Sequence, residues 1–84
     1  MIRIEDLHGK HVALNVNKIG DRYNVSIDTN AHRIEVHNAM HSNERYTFSG
    51  YDAIAALKDI CDICNAECRS VEDGIATWIS YCLV

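Results

Sequence analysis

The sequence predicts an α+β fold, in which a small antiparallel meander sheet of four to five strands is covered on one face by a long helix and a shorter C-terminal helix. In the first half, apolar and polar residues alternate with a period of two, which is typical of strands with one buried face. In the second half, apolar residues recur at spacings of three and four, as on a helix with one buried stripe. The 84 residues are enough for only one modest core, so we predict a single domain, 1–84.

Four segments of the first half carry the strand pattern, separated by turns at 18–21, 29–30 and 41–44. A short edge strand at Ile2 and Ile4 would precede them and raise the number of strands to five. Because one face is apolar and the other polar, only one face of this sheet needs a cover. The apolar members of the four segments are Val12, Leu14 and Val16, then Tyr23, Val25 and Ile27, then Ile34 and Val36, and finally Tyr46 and Phe48.

Two Ser-x-x-Asp motifs predict where the covering helices begin. The first spans 49–52 and is close to a capping box, so we expect a helix from about residue 50 to about 68. The second spans 70–73 and predicts a shorter helix that begins at Val71. The expected buried face of the first helix comprises Ala53, Ile54, Leu57, Ile60, Cys61, Cys64 and Cys68, and the stripe continues through Val71, Ile75, Trp78 and Cys82.

All four cysteines, Cys61, Cys64, Cys68 and Cys82, lie on this stripe. Their spacing invites a zinc or iron–sulfur site, but an unbroken helix separates Cys61 from Cys68 by about 10 Å, too far for one ion. A redox CxxC pair would place its first cysteine at a helix N-terminus, whereas Cys61 lies well inside the helix. We therefore interpret the thiols as buried packing and predict neither a metal site nor a cofactor. A small metal-binding or redox-sensing domain that uses these four residues is the alternative hypothesis.

The charge of the chain is unevenly distributed. Residues 1–49 carry six basic and six acidic side chains, whereas residues 50–84 carry two basic and six acidic ones. The helical part therefore holds the whole formal charge of −4. Binding of phosphate needs clustered Lys and Arg, and the sequence offers no such cluster. We predict no direct contact with nucleic acid.

The sequence also predicts no contact with a membrane. No apolar run approaches the roughly 20 residues of a membrane-spanning helix. Glu5 and Asp6 interrupt the position where the apolar core of a signal peptide would continue. We therefore expect a cytoplasmic protein, whose thiols stay reduced.

Enzymatic activity is not predicted. A catalytic nucleophile needs an adjacent base and a group that orients the base, and no serine or cysteine of the sequence has such neighbours. The four glycines are isolated, so they form no phosphate-binding loop. All five histidines lie in the first half, and we interpret them as exposed to solvent.

The predicted function is therefore the binding of another protein. We expect the acidic face of the first helix to meet a basic partner surface and to steer the encounter. The candidate partner-binding residues are Asp52, Asp59, Asp62 and Glu67, with Ile63 as an apolar anchor.

Over residues 11–84, the chain resembles several short phage-encoded inhibitors, including some anti-CRISPR proteins. The shared features are small size, acidity, a small meander covered by helix, and the lack of a catalytic set. The resemblance concerns layout and assigns no role to an individual residue. It implies an inhibitor that occludes a basic, nucleic-acid-handling partner in the host-cell cytoplasm. A third hypothesis is a homodimer that pairs through the open edge of the sheet.

Overall fold

The computed structural model describes residues 1–15, 22–40, 44–67 and 70–82. It shows an α+β fold in which four strands precede two helices, as predicted. The four strands pair in chain order as an antiparallel meander. The elements are a short 3₁₀ helix (Ile4–Leu7), strands β1 (His11–Asn15), β2 (Arg22–Asp28), β3 (Arg33–Asn38) and β4 (Arg45–Ser49), and helices α1 (Gly50–Glu67) and α2 (Val71–Cys82).

The predicted alternation sets the register of the sheet. A single row of core residues, Val12, Val25, Val36 and Tyr46, crosses all four strands at directly opposed positions. Val25 and Val36 are almost fully buried, while the outer two members of the row are half-buried. The apolar face therefore lies at the centre of the molecule. A shift of one residue in the pairing of a strand would turn its apolar side chains toward solvent.

The leading strand proposed for Ile2 and Ile4 does not form, and a short 3₁₀ helix stands there instead. The Asp6 carboxylate accepts a hydrogen bond from the Arg3 backbone N–H at 2.9 Å, which closes the turn. Leu7 is fully buried in the core. A spacing of three residues between apolar side chains brings Ile4 and Leu7 to the same side of a tight helix, whereas a strand would place them on opposite faces.

Asn65 of α1 holds the start of the chain in place. Its amide oxygen accepts a hydrogen bond from the Ile2 N–H at 2.7 Å, and its amide nitrogen donates to the Ile2 carbonyl at 2.9 Å. One side chain thus satisfies both polar groups of a backbone residue, as a neighbouring strand would. The N-terminal segment is consequently attached to the helix layer.

Gly50 makes the direct transition from β4 to α1. Its φ of +57° lies in the left-handed region that favours glycine. Its N–H donates to the His32 carbonyl at 3.1 Å, which fixes the junction against the turn between β2 and β3. The helix begins at the predicted residue and ends at Glu67; the predicted final residue, Cys68, lies outside the described residues.

The helix α2 begins as the second motif predicted, and both helices cover the apolar face of the sheet. The Asp73 N–H donates to the Ser70 hydroxyl at 3.2 Å, and this side-chain cap starts the helix. The helix α1 contacts β3 and β4, while α2 contacts β1. Of the predicted stripe, Ile75 and Trp78 are buried, but Cys82 is exposed, so its expected burial is wrong. Cys82 lies on the last turn, beyond the area that α1 and the sheet cover.

The two helices approach most closely at Gly74. A Cβ atom built on Gly74 would overlap the Cys64 sulfur and lie 3.7 Å from the Ile60 carbonyl. The Cys64 thiol in turn donates to the Ser70 carbonyl at 3.6 Å, across the connection between the helices. Only glycine allows this approach, which explains a residue that is otherwise unfavourable inside a helix.

Replacement of Gly74 by alanine should destabilise the protein in spite of the better helix propensity of alanine. Overpacking against Cys64 costs about 1–3 kcal/mol, and the propensity gain offsets about 1 kcal/mol of it. We expect Gly74→Ala to lower the free energy of unfolding in urea by about 1 kcal/mol. In a Cys64→Ala background the same change should be neutral or stabilising, because the obstructing sulfur is gone. Equal effects in the two backgrounds would contradict the close contact.

Candidate functional site

The acidic residues predicted to bind a partner lie along one side of α1. Asp52 and Asp59 are seven residues, or about two turns, apart and therefore share a face. Asp62 and Ile63 follow one turn later, and Ile63 is half-buried against the core. The structure thus brings four of the five candidate residues together, in the order that the helical spacing predicted.

A groove runs along this side of α1. Its two parts share Asp59, Trp78 and Cys82, so they form one continuous surface, which we call the acidic groove. The part toward the end of α1 is lined by Asp59, Asp62, Ile63, Trp78, Tyr81 and Cys82. The part toward its start is lined by Thr47, Phe48, Asp52, Ala55, Ala56, Asp59, Trp78 and Cys82.

The floor of the acidic groove is aromatic and firmly packed. Trp78 is only 2% exposed, and its ring meets that of Phe48 edge-on, with centroids 5.3 Å apart at 62°. Such an arrangement is favourable for aromatic pairs. Tyr81, by contrast, is 75% exposed at the border of the groove. The groove therefore combines a fixed apolar floor with one aromatic side chain that is free to meet a ligand.

The carboxylates at the border of the groove are uncompensated. Asp52, Asp59 and Asp62 are exposed, and none of them forms an ion pair or a hydrogen bond with another residue in the described part of the chain. Asp59 and Asp62 are neighbours at i and i+3, where like charges repel. The groove consequently presents concentrated negative charge beside apolar surface.

Glu67 is the one candidate that the structure separates from the others. It is the last residue of α1, exposed, one turn beyond Ile63, and it is not part of the lining of the acidic groove. The 3.6-residue repeat turns Glu67 to the edge of the acidic face. Glu67 therefore does not contribute to the wall of the groove.

Sequence reasoning missed the other wall of the groove. Trp78, Tyr81 and Cys82 are at i, i+3 and i+4 of α2, and such positions share a helix face. That spacing is visible in the sequence, but it was interpreted only as core. Which part of α1 this face meets depends on α2 running back along α1, and no residue pattern within one helix encodes that direction.

The three described cysteines differ in exposure, two of them being buried and one lying at the surface. Cys61 and Cys64 are buried, and burial is the main cause that raises the pKa of each thiol. The nearby Cys64 and Asp62 charges raise the pKa of Cys61 further. Cys82 is exposed in the acidic groove, and Cys68 lies outside the described residues. Within the described ranges, no group of three or more His, Cys, Asp or Glu side chains is placed to hold a metal ion.

Sequence reasoning did not foresee two histidine–hydroxyl pairs, of which the first joins His8 Nδ1 and Thr29 Oγ1 at 3.0 Å. His11 Nδ1 and Ser26 Oγ lie 2.7 Å apart on the solvent face of the sheet, at opposed positions of β1 and β2. His8, His11 and His32 are exposed as expected, but His37 is half-buried, and its Nε2 is buried without a hydrogen-bond partner among the described residues. A nucleophile–base pair also needs an orienting group and a substrate cavity. The ring of His11 has no second described partner, and the pair lies outside the acidic groove.

No protein-family model matches the chain, and no curated protein or solved structure is significantly similar to it. Neither of the helices in the described part of the chain has the length and apolar character that crossing a membrane requires. The function of the chain is therefore inferred from the acidic groove and the residues around it.

The burial of the thiols predicts strongly unequal reactivity. The thiolate is the reactive form, so a raised pKa and burial both slow the modification of Cys61 and Cys64. We expect a maleimide at about pH 8 to modify Cys82 at least about 100-fold faster than these two, which should react only when the protein opens or unfolds. Peptide mapping by mass spectrometry would report each cysteine separately. Modification of Cys61 or Cys64 as fast as that of Cys82 would contradict the buried placement and favour the metal or redox hypothesis.

Proposed function

We propose that the chain is a non-enzymatic protein-binding module and that it inhibits a nucleic-acid-handling partner by covering a basic surface of that partner. The observation that carries this proposal is the acidic groove, with Asp52, Asp59 and Asp62 uncompensated beside the buried ring of Trp78. Recognition is thereby assigned to the outer surface of the helix layer, and the buried thiols of Cys61 and Cys64 have a role in packing.

The composition of the groove supports a protein as the ligand. Protein interfaces gain most of their affinity from a few aromatic and apolar anchors in desolvated pockets, surrounded by polar residues. Phe48, Ile63 and Tyr81 offer such an apolar centre above the buried ring of Trp78, and the three carboxylates surround it. The charges would accelerate the encounter and select the partner, while the apolar contacts would slow dissociation.

The sign of the charge supports a partner that handles nucleic acid. Proteins bind nucleic acid through arrays of Lys and Arg that neutralise phosphates. Residues 50–84 carry the whole net charge of −4, so they would repel nucleic acid itself and attract such arrays. A module seated on these side chains would remove the positive surface that nucleic acid needs. This action is of the anti-CRISPR type, and we place it in the cytoplasm of the host cell.

Charge reversal at the groove should abolish binding. We expect Asp59→Lys together with Asp62→Lys to prevent capture of the partner from a lysate of the native host at low salt. The captured wild-type complex should also lose affinity steeply as salt increases, because the charges are exposed. Addition of the purified wild-type protein should displace a labelled DNA or RNA oligonucleotide from the captured partner.

A matched control separates the site from the total charge. Glu5→Lys with Glu72→Lys changes the net charge by the same amount at exposed positions outside the acidic groove. This control should capture the partner as the wild type does. Equal capture by both double variants would contradict the proposal, as would a partner that keeps its full affinity for nucleic acid when the wild-type protein is bound.

A further inference from the structure

We infer that the occupant of the acidic groove is an α-helix of the partner, with two arginines seven residues apart and an apolar residue between them. This inference rests on the proposed function and specifies the element that the groove recognises. It is carried by the course of the groove along α1, the spacing of the carboxylates, and the small side chains that separate them.

The groove has the shape of a helix-binding surface. It follows α1 from Asp52 to Ile63, and eleven residues of helix extend about 16 Å. One wall is α1, and the other is built from Phe48 of β4 and the last turns of α2. A third helix of about three turns laid in this position would pack against both helices, as amphipathic helices do in apolar grooves.

The spacing of the acidic residues favours a helix over an extended strand. Asp52 and Asp59 are about 10.5 Å apart along the axis of α1. Residues at i and i+7 of an approximately parallel or antiparallel helix repeat the same distance on one face. Side chains on one face of a strand repeat at about 6.8 Å, so no pair of them matches this separation. Two basic residues of a partner helix can therefore face both carboxylates at once.

Small residues between the carboxylates leave room for the helix. Ala55 and Ala56 occupy the turn between Asp52 and Asp59, and both line the groove. Helix axes approach to about 8 Å when the side chains at the contact are small. An apolar residue placed between the two basic residues of the partner would then reach the floor at Trp78 and Phe48. Trp78 is 2% exposed, so this residue would bury mainly the accessible part of Phe48, and a leucine-sized side chain is large enough to do so.

The chemistry of the border favours arginine over lysine. Asp59, Asp62, Trp78 and Tyr81 line the same part of the groove, so carboxylates and aromatic rings are presented together. A guanidinium group can stack on an aromatic ring and still donate two hydrogen bonds to a carboxylate, whereas an ammonium group is a strongly hydrated point charge. Tyr81 is largely exposed and is available for such stacking.

A designed peptide tests this inference without the natural partner. The probe is a fluorescein-labelled helical peptide of about 18 residues, built from alanine and glutamine, with two arginines seven positions apart and two leucines between them. Its control has the same composition with the arginines five positions apart, so that they lie on different faces. We expect the first peptide to bind the full-length protein saturably in fluorescence anisotropy, and the control to bind at least about tenfold more weakly. Replacement of both arginines by lysine should weaken binding about threefold.

A steric variant of the protein tests the position of the peptide. Ala55→Leu fills the groove between Asp52 and Asp59 without changing a charge, and it should reduce the affinity of the first peptide about tenfold. Ala13→Leu is the matched control, because Ala13 is exposed on the solvent face of β1, away from the groove, and it should leave the affinity unchanged. Circular dichroism of each variant would show that the fold is retained.

The outcomes separate this inference from the proposed function. Equal binding of the two arginine peptides, binding of neither, or equal effects of Ala55→Leu and Ala13→Leu would overturn the helix as occupant. If Asp59→Lys with Asp62→Lys still abolished capture of the natural partner, the proposed function would stand and the occupant would be another element. If only the peptide with arginines seven positions apart bound, but Asp59→Lys with Asp62→Lys still captured the natural partner, the groove would remain a helix-binding site. The proposed function would then be overturned.

Discussion

The close contact between α1 and α2 at Gly74 is the constraint on which the rest of the structure depends. The four-stranded meander has one apolar face, and both helices contact it, α1 at β3 and β4 and α2 at β1. Because Gly74 has no side chain, α2 can start against Cys64 and return along α1. That path carries Trp78 into the core, where its ring meets Phe48 of β4. The contact therefore holds together the sheet, the two helices and the floor of the acidic groove.

The acidic groove lies where the last turns of α2 pass beside α1. The helix α2 runs back along α1 and stops at the level of Asp52 and Ala55, with Cys82 in its last turn. Trp78 is only 2% exposed, so the apolar surface that borders solvent here belongs to Phe48, Ile63 and Tyr81. The same packing that completes the core thus creates the surface that we propose as the binding site.

Asp59 and Asp62 are better explained by binding than by stability, whereas Asp52 lies in the first turn of α1, where the helix dipole favours a carboxylate. Uncompensated neighbours such as Asp59 and Asp62 weaken a helix slightly, and neither helix has a basic residue in its last turn to complement the helix dipole. On the sheet, by contrast, the exposed side chains of Arg33 and Glu35 pair at 2.7 Å. A basic partner would relieve the repulsion at the groove, so the binding energy would include the removal of a cost that the free protein carries.

The sequence by itself determined the class of the fold and most of its elements. Alternation in β2 and β3, with Val25 and Val36 inward, and the two Ser-x-x-Asp motifs are local patterns, and local patterns report which face of an element is buried. They also placed Asp52, Asp59, Asp62 and Ile63 on one side of α1. The 3₁₀ helix was missed because Ile2 and Ile4 alone fit a strand, and the hydrogen bonds between the Ile2 backbone and the Asn65 side chain join residues that no local pattern relates.

Only the tertiary structure decided what lies opposite the acidic face and which cysteines are buried. The periodicity of α2 marks Trp78 and Cys82 as one stripe, but the area covered by neighbouring elements ends between them, so one is buried and the other exposed. The direction and closeness of α2 depend on Gly74 meeting Cys64, a contact between two elements. Packing between elements depends on the fit of both surfaces at once. For that reason, the pattern along one segment predicts which of its faces is buried, but not which element covers that face.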